Sequence, residues 1–271
     1  MLRDYQIEMK TRLMEAWKAH RSVMVQMPTG TGKTHLLASV VSEFVSSAGS
    51  GVWLIAHRRE LVAQMEETLA KYGIRREDTP VRVMSVQWLS RHWNEAGDAP
   101  GLIVIDEAHH ALAASYTEMW KRYPAAKKLG VTATPCRLNR RGFTELFEVL
   151  VTSWSIAEFI EKGVLSVFDY VSIRPGSEEQ RLIDGLEKRG ADGDYQVKEM
   201  DAVLNRRPGI ERLYRSVRQF ASGKKGMVYA ISIEHARRIA EYYSRRGVNA
   251  VAVDSKTCLL YTSPSPRDRS L

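Results

Sequence analysis

The sequence predicts an α/β fold: a parallel sheet with helices on both faces, followed by the beginning of a second domain of the same kind. Two observations lead to this prediction. Short apolar runs alternate with helix-like segments over the first 135 residues, an order that favours parallel strands joined by helical crossovers. A loop of small residues also separates the first apolar run from the helix after it, as in folds that bind phosphate groups.

The first domain is expected to span residues 1–150. Asp4 can cap an opening helix in which Met9, Leu13 and Trp17 recur every four residues and form one apolar face. Continuous apolar runs bounded by turn residues indicate strands that are buried on both faces. They lie at residues 23–25, 52–56, 81–86, 102–105 and 128–132. Because ligands gather beyond the carboxyl ends of parallel strands, the residues after these runs are the first candidates for a site.

The second half of the chain is less regular. Residues 151–205 include a highly charged stretch and are interpreted as a connecting segment, with a helix near 156–160. Residues 206–257 favour the start of a second α/β domain. Its predicted elements are a helix over 208–220 that begins with a proline, a strand at 226–230, a helix over 233–246 and a strand at 249–253. So few elements are not expected to close a core of their own.

Residues 258–271 break this pattern with a run rich in Ser and Pro. The run is similar to the translation of a sequencing-library adapter, and we interpret it as a non-native, disordered tail that is excluded from the fold. A genuine disordered terminus would have the same composition. With the first interpretation, the natural sequence is expected to differ after residue 257.

The composition limits the possible classes of protein. Forty Lys and Arg against 32 Asp and Glu give a formal net charge of +8, which favours a polyanionic partner. The two cysteines, Cys136 and Cys258, are far apart, so neither a disulfide framework nor a metal cluster is predicted. No apolar run approaches the length of a membrane span, and the N-terminus lacks the apolar core of a signal peptide. A soluble, cytoplasmic protein without a membrane partner is expected.

The loop between the first strand and its helix carries the clearest chemical signal. It consists of Pro28, Thr29, Gly30, Thr31, Gly32, Lys33 and Thr34. Such a loop can surround a phosphate with backbone N–H groups, while the helix N-terminus adds partial positive charge. Lys33 would reach the β- and γ-phosphates and the Thr34 hydroxyl would bind Mg²⁺. The strict pattern opens with Gly, whereas this chain has Met27 at that position.

Two adjacent carboxylates follow the buried run at residues 102–105. Asp106 could hold a Mg²⁺ ion that bridges the phosphates, and Glu107 could orient and deprotonate the attacking water. An Asp-Glu pair at a strand end is more often simply solvated. Here it precedes Ala108-His109 and comes after a phosphate loop, so the combination predicts a site for nucleoside triphosphate hydrolysis.

The order of these motifs resembles that of the superfamily 2 helicases and translocases. The motifs are Gln6, the phosphate loop, the segment 56–61, the segment 85–87, the Asp-Glu-Ala-His box and the segment 132–135. The chain is most similar to the DEAD/DEAH-box branch that includes the motor subunit of type III restriction enzymes. The resemblance covers residues 2 to about 257 and implies a RecA-like fold, a P-loop NTPase whose two RecA-like domains close on ATP and grip single-stranded nucleic acid.

The resemblance also implies roles for single residues. Gln6, with Arg3 nearby, would recognise adenine, which makes ATP the expected nucleotide. Thr132 and Thr134 would couple the nucleotide site to the nucleic acid, with His109 assisting across the same cleft. The residues expected along the nucleic-acid backbone are His57, Arg58, Arg59, Gln87 and Arg137. For each of these basic residues, a plain solvated surface is an equal alternative.

Two aromatic residues near Gln87 have two possible roles. Trp88 and Trp93 could stack on bases, although core packing is the favoured interpretation for both. DNA is favoured over RNA as the tracking strand, and polarity and oligomeric state are left open.

The resemblance also says what the chain lacks. The later motifs that the family uses to supply arginine fingers are not found in the sequence, so this chain is expected to hydrolyse ATP poorly. Two alternatives to an ATP-dependent helicase or translocase stay open. One is a motor that works with a nuclease or modification subunit of a restriction system, and the other is a non-catalytic module that binds ATP and nucleic acid.

Overall fold

A computed structural model of the chain describes residues 2–57, 59–75, 77–110, 114–135, 144–173, 177–188, 195–254 and 257. The chain divides into two compact units, Met1–Phe168 and Asp169–Leu271. The predicted tail, residues 258–271, lies outside the described residues.

The first unit is built on a six-stranded sheet. Its strands are β1 (Ser22–Gln26), β2 (Val52–Ala56), β3 (Val81–Ser85), β4 (Leu102–Asp106), β5 (Lys127–Thr132) and β6 (Val149–Thr152). They lie in the order β3-β2-β4-β5-β1-β6, and all five neighbouring pairs are parallel. The predicted parallel sheet is therefore confirmed, together with all five strands expected from the apolar runs.

Helices flank the sheet of the first unit. They are α1 (Asp4–Ala19), α2 (Lys33–Ala48), α3 (Arg59–Ala70), the single turn α4 (Val86–Leu89), α5 (Ala114–Arg122) and α6 (Ile156–Glu161). Neighbouring strand residues alternate between two apolar clusters. Val104 belongs to the cluster that includes the inner faces of α1 and α2, whereas Ile103 and Ile105 join the one that includes Met119 of α5. This burial on both faces explains the continuous apolar runs in the sequence.

Two details of the first unit differ from the sequence analysis. The residue that precedes α1 is Arg3, so the prediction that Asp4 caps the helix is wrong; Asp4 lies in the first turn, where a negative charge is favourable. The unit also continues past residue 150, because β6 pairs with β1 and α6 packs Phe159 into the core. The division into domains at residues 1–150, 151–205 and 206–257 stays a prediction.

A close approach beside β5 positions the segment after β4. A Cβ atom built on Gly130 would lie 2.5 Å from the Phe147 ring and 2.8 Å from the Ala108 side chain. Only glycine fits there without a shift of these neighbours. Gly130 therefore lets Ala108, within the Asp-Glu-Ala-His box, pack directly on the neighbouring strand.

The second unit consists of four helices in its described part. They are α7 (Ser177–Asp184), α8 (Val197–Leu204), α9 (Arg207–Phe220) and α10 (Ile233–Ser244). The helices predicted from Pro208 and near residue 233 are confirmed. The strands predicted at 226–230 and 249–253 are wrong, since neither segment has the ladder hydrogen bonds of a strand.

None of the helices in the described part of the chain is long and apolar enough to cross a membrane.

Candidate functional site

The carboxyl edge of the sheet gathers most of the residues singled out in the sequence. Because the strands are parallel, the segments after β1, β2, β3, β4 and β5 all leave at this edge. The phosphate loop after β1 lies next to the exit of β5, and the exit of β4 lies one strand further. The exits of β2 and β3 occupy the other half of the same edge. The edge thus has two halves, which are described in turn.

The phosphate loop owes its shape to its glycines and to the contacts of its neighbours. Gly30 and Gly32 have φ angles of +88° and +80°, which favour glycine. The buried Thr31 hydroxyl donates to the Pro28 carbonyl at 2.7 Å. Met27, where the strict motif has Gly, is fully buried, and its N–H donates to the Thr132 carbonyl at 3.0 Å. This position therefore anchors the loop to the core and to β5.

The Gln6 amide is committed to the loop. Its Nε2 donates to the carbonyl oxygens of Thr31 at 3.0 Å and Gly32 at 3.3 Å, and its Oε1 accepts the Arg3 backbone N–H at 2.8 Å. A Cβ atom on Gly32 would lie 2.5 Å from Nε2, so this contact also requires glycine. The structure places Gln6 directly beside the loop, with its amide bonded to the loop backbone.

The environment of Asp106 perturbs the charge of its carboxyl. Burial raises the pKa of its carboxyl, and the neighbouring Glu107 carboxylate raises it further. The Glu107 N–H, which donates to Asp106 at 3.0 Å, and the charges of Lys33 and His109 lower that pKa in part. A desolvated carboxylate close to Lys33 is a suitable ligand for a cation.

Glu107 adopts a φ angle of +50°, in the left-handed region that residues with a side chain rarely occupy. Such backbone conformations cluster at functional sites. The conformation holds the Glu107 carboxylate 3.3 Å from His109 Nδ1.

His109 joins the segment after β4 to the segment after β5. Its Nδ1 lies 2.9 Å from the Thr132 hydroxyl. That hydroxyl donates to the Thr134 carbonyl at 3.0 Å and accepts the Thr134 N–H at 3.1 Å. Since the hydroxyl hydrogen is used in this way, Nδ1 is the donor to Thr132. His109, Thr132 and Thr134 therefore form one continuous hydrogen-bonded network, and the Glu107 carboxylate lies beside its His109 end.

The other half of the edge holds part of the expected nucleic-acid set. Gln87 Nε2 donates to the His57 carbonyl at 2.7 Å, which joins the exits of β2 and β3. Arg58, Arg137 and the side chain of Arg59 lie outside the described residues. The structure thus brings together two of the five expected residues.

The residues at the β1, β4 and β5 exits fit a nucleoside triphosphate and Mg²⁺. Lys33 and the start of α2 supply positive charge at the loop, and Asp106 with Thr34 would hold the metal. In the described part of the chain, no three His, Cys, Asp or Glu side chains form a metal site. Mg²⁺ needs no such site, because it commonly binds one or two carboxylates together with phosphates and water.

Comparison with known proteins identifies the family of the chain. The model of the ResIII family, described as "Type III restriction enzyme, res subunit", matches residues 1–137, just over half of the chain. The chain belongs to this family. The resemblance to superfamily 2 helicases of the restriction-motor type is thereby confirmed.

Individual relatives are more distant. A "51.5 kDa protein" of Lactococcus phage (isolate 7-9) is 28% identical over 86% of this chain and 49% of its own length. The "DNA 3'-5' translocase XPB2" of Sulfurisphaera tokodaii is 28% identical over 69% of this chain and 44% of its own. The crystal structure of the UvsW helicase from bacteriophage T4 aligns with a TM-score of 0.47 at 17% identity, over 55% of this chain and 59% of that one. The chain spans less than half the length of both sequence relatives.

The structure also shows contacts that the sequence analysis missed. The Tyr5 hydroxyl donates to the Thr31 carbonyl at 3.0 Å, beside the bond from Gln6. His35 Nδ1, in the first turn of α2, lies 2.9 Å from the Tyr72 hydroxyl. Tyr5 could have been found from its place next to Gln6, whereas nothing in the sequence links Tyr72 to the loop.

Proposed function

We propose that this chain is the ATP-hydrolysing part of a superfamily 2 helicase or translocase that moves along single-stranded nucleic acid, with DNA favoured. The observation that carries the proposal is the network at the exits of β4 and β5 beside the phosphate loop. It combines the half-buried Asp106 carboxylate, on which the charge of Lys33 acts, with a candidate base in Glu107 and a link through His109 to Thr132.

In this proposal the residues of the site have the following roles. Lys33 neutralises the β- and γ-phosphates, and Asp106 and Thr34 hold Mg²⁺, which supplies charge stabilisation during phosphoryl transfer. Glu107 accepts a proton from the attacking water, and His109 keeps its carboxylate oriented. Gln6 and Arg3 recognise adenine, for which the Gln6 amide exchanges its bonds to the loop for bonds to the base. Pro28 to Thr34 surround the phosphates. Thr132 and Thr134 relay the state of the nucleotide.

The partner assignments belong to the same proposal. His57 and Gln87 contact the nucleic-acid backbone, with Arg58, Arg59 and Arg137 as further contacts. The second unit is the beginning of a second RecA-like domain, and the family description favours work alongside a nuclease or modification subunit. The activity of this chain by itself is expected to be low, because the later motifs that supply arginine fingers are not found in its sequence.

The test separates binding from hydrolysis. ATP binding is measured with a fluorescent ATP analogue and Mg²⁺, and hydrolysis by phosphate release with and without a single-stranded oligonucleotide. Lys33→Ala should weaken binding about tenfold or more, because a hydrogen bond between charged groups contributes roughly 1.5–3 kcal/mol. Glu107→Gln should keep binding and lower hydrolysis by about 10² to 10⁴, the usual contribution of a general base.

Matched controls are available on exposed surface. Lys18→Ala and Glu15→Gln change the same residue types on α1, away from the loop. Normal binding and hydrolysis in Lys33→Ala and Glu107→Gln would refute the proposal. Binding without measurable hydrolysis in the unaltered chain would favour the non-catalytic module instead.

A further inference from the structure

Trp88 differs from the other tryptophans of the chain in its environment. Of the six tryptophans, Trp17, Trp53, Trp93, Trp120 and Trp154 contribute to the two apolar clusters of the first unit. Trp88 is 37% exposed and belongs to neither cluster of the described residues. The exposed part of the indole leaves apolar surface in contact with water, and this part contributes no hydrophobic stabilisation to the core. The interpretation that Trp88 packs in the core is wrong.

The exposed indole of Trp88 stacks on the imidazole of His92, four residues later in the chain. The rings of Trp88 and His92 have centroids 4.8 Å apart and an interplanar angle of 11°. His92 Nδ1 lies 2.8 Å from the Trp88 carbonyl. Since a carbonyl only accepts hydrogen bonds, Nδ1 carries the hydrogen, and this bond fixes the imidazole against one face of the indole. With this stack in place, Trp88 is still 37% exposed to solvent.

The backbone under this stack is held in place before any ligand binds. Ser85 caps the single turn α4 by accepting the Trp88 N–H at 3.2 Å, and Val86 and Leu89 on either side are buried. A flat aromatic surface on a fixed turn loses little conformational freedom when a partner stacks on it.

The stack lies where a strand of nucleic acid is expected. Trp88 follows Gln87, whose side chain bonds the His57 carbonyl at the exit of β2. β3 is four strands away from β1 in the sheet, about 19 Å at the usual strand spacing. The stack is therefore well separated from the phosphate loop but lies on the same edge.

We propose that the Trp88–His92 stack is a platform for one unpaired base of a single-stranded nucleic acid. The proposal rests on the proposed function, in which the nucleic-acid strand runs along His57 and Gln87. Those two residues contact the backbone of the strand, and Trp88 adds a contact to one of its bases. Stacking on an aromatic face tolerates any base, because every base has a π-face. Trp88 would thus hold the strand without reading its sequence.

The test compares two strands that differ only in their bases. The probes are an oligothymidine of about 16 nucleotides, the upper end of the site sizes of single-strand binding domains, and a strand of equal length made of abasic sugar-phosphate units. Affinities are measured by fluorescence anisotropy for the full chain and for Trp88→Ala, Trp88→Phe and Phe168→Ala. Phe168 is the matched control, because it is 64% exposed in the same unit and remote in sequence from α4.

Trp88→Ala should weaken binding of oligothymidine by about tenfold, the magnitude expected for one lost base stack, and leave binding of the abasic strand unchanged. Trp88→Phe, which keeps an aromatic ring, should retain most of the affinity, and Phe168→Ala all of it. The dependence of affinity on salt should not change, because no phosphate contact is removed.

The possible failures are distinguishable. If the unaltered chain binds neither strand, the proposed function fails and the platform with it. If it binds both strands and Trp88→Ala binds oligothymidine normally, only the platform is refuted. An equal loss on both strands would likewise refute the platform and show that Trp88 supports the fold of this edge.

Discussion

The two compact units contain apolar segments of similar character in opposite environments. Val104, in the middle of β4, is fully buried, whereas Val251 in the second unit is 80% exposed. In the first unit, each strand has a hydrogen-bonded neighbour and apolar clusters on both faces. In the second, residues 226–230 and 249–253 form no ladder, and in the described part of the unit they contribute to a single apolar cluster with α9 and α10. The difference shows that an apolar run becomes a strand when its backbone groups find hydrogen-bonding partners, and in a parallel sheet such a strand is covered on both faces.

The second unit nevertheless keeps the side-chain pattern of strands. Val248 and Ala250 pack with Ile239 and Tyr243 of α10, while Val251 and Val253 face solvent. This alternation is the period of a strand with one covered face. The apolar cluster around α9 and α10 is accordingly small, and its buried members among the described residues are Ile210, Ile239 and Tyr243.

The largest expected effect tests this contrast directly. Leu13, fully buried in α1, belongs to the large cluster of the first unit, and Leu13→Ala should lower the free energy of unfolding by about 2–5 kcal/mol. Ile239→Ala should cost less, because its cluster is small and half open. Urea unfolding is followed by tryptophan fluorescence, which reports the first unit alone, since all six tryptophans lie there, and by circular dichroism, which reports both units.

Leu13→Ala should shift the fluorescence transition, and Ile239→Ala should shift only part of the dichroism transition. If Ile239→Ala moved the fluorescence midpoint as far as Leu13→Ala, the two units would unfold together and the contrast between their cores would be refuted.

A second pair of substitutions compares a crowded glycine with an open one. Gly130→Ala places a methyl group against Phe147 and Ala108 and should destabilise the first unit by roughly 1–3 kcal/mol, as overpacking does. Gly226, in the second unit, has no atom within 4 Å of the Cβ position, and Gly226→Ala should be neutral or slightly stabilising. The urea midpoints of both variants measure the contrast. A neutral Gly130→Ala would mean that Phe147 moves aside freely.

A third and smaller effect concerns helix caps. Ser155 accepts the Glu158 N–H at the start of α6, and Ser232 accepts the His235 N–H at the start of α10. Each Ser→Ala change should cost about 1 kcal/mol, but only Ser155→Ala should shift the fluorescence midpoint, because α6 packs Phe159 against Tyr5 and Trp154. Ser155→Asn, which keeps a capping side chain, should behave like the unaltered protein, and a midpoint as low as that of Ser155→Ala would argue against the cap.

The sheet was predictable because its strands are continuous apolar runs, whose burial on both faces leaves a clear mark in the sequence. β6 was not, since Val151 alone of its four residues is buried and its place is set by pairing with β1. The strands predicted in the second unit were wrong, because an alternating side-chain pattern does not reveal whether a neighbouring strand is present to pair with the backbone. At the site, the loop and Asp106 follow from motifs, whereas the exposed side of Trp88 depends on how α4 packs.

The smallest expected change in stability concerns Asp106 and works in the opposite direction. Burial raises the pKa of its carboxyl, so its contribution to stability is fully present below the pKa of the unfolded chain and is lost as the pH rises through the higher folded pKa. At neutral pH the ionised carboxylate therefore destabilises the fold.

Asp106→Asn should raise the urea midpoint at pH 7 and remove Mg²⁺-dependent ATP binding. The gain in midpoint should shrink as the pH falls towards 4, whereas the exposed Asp98→Asn should change neither property. An Asp106→Asn variant that is less stable at pH 7 would show that this carboxylate holds the fold together, and its position beside Lys33 would then need no cation to explain it.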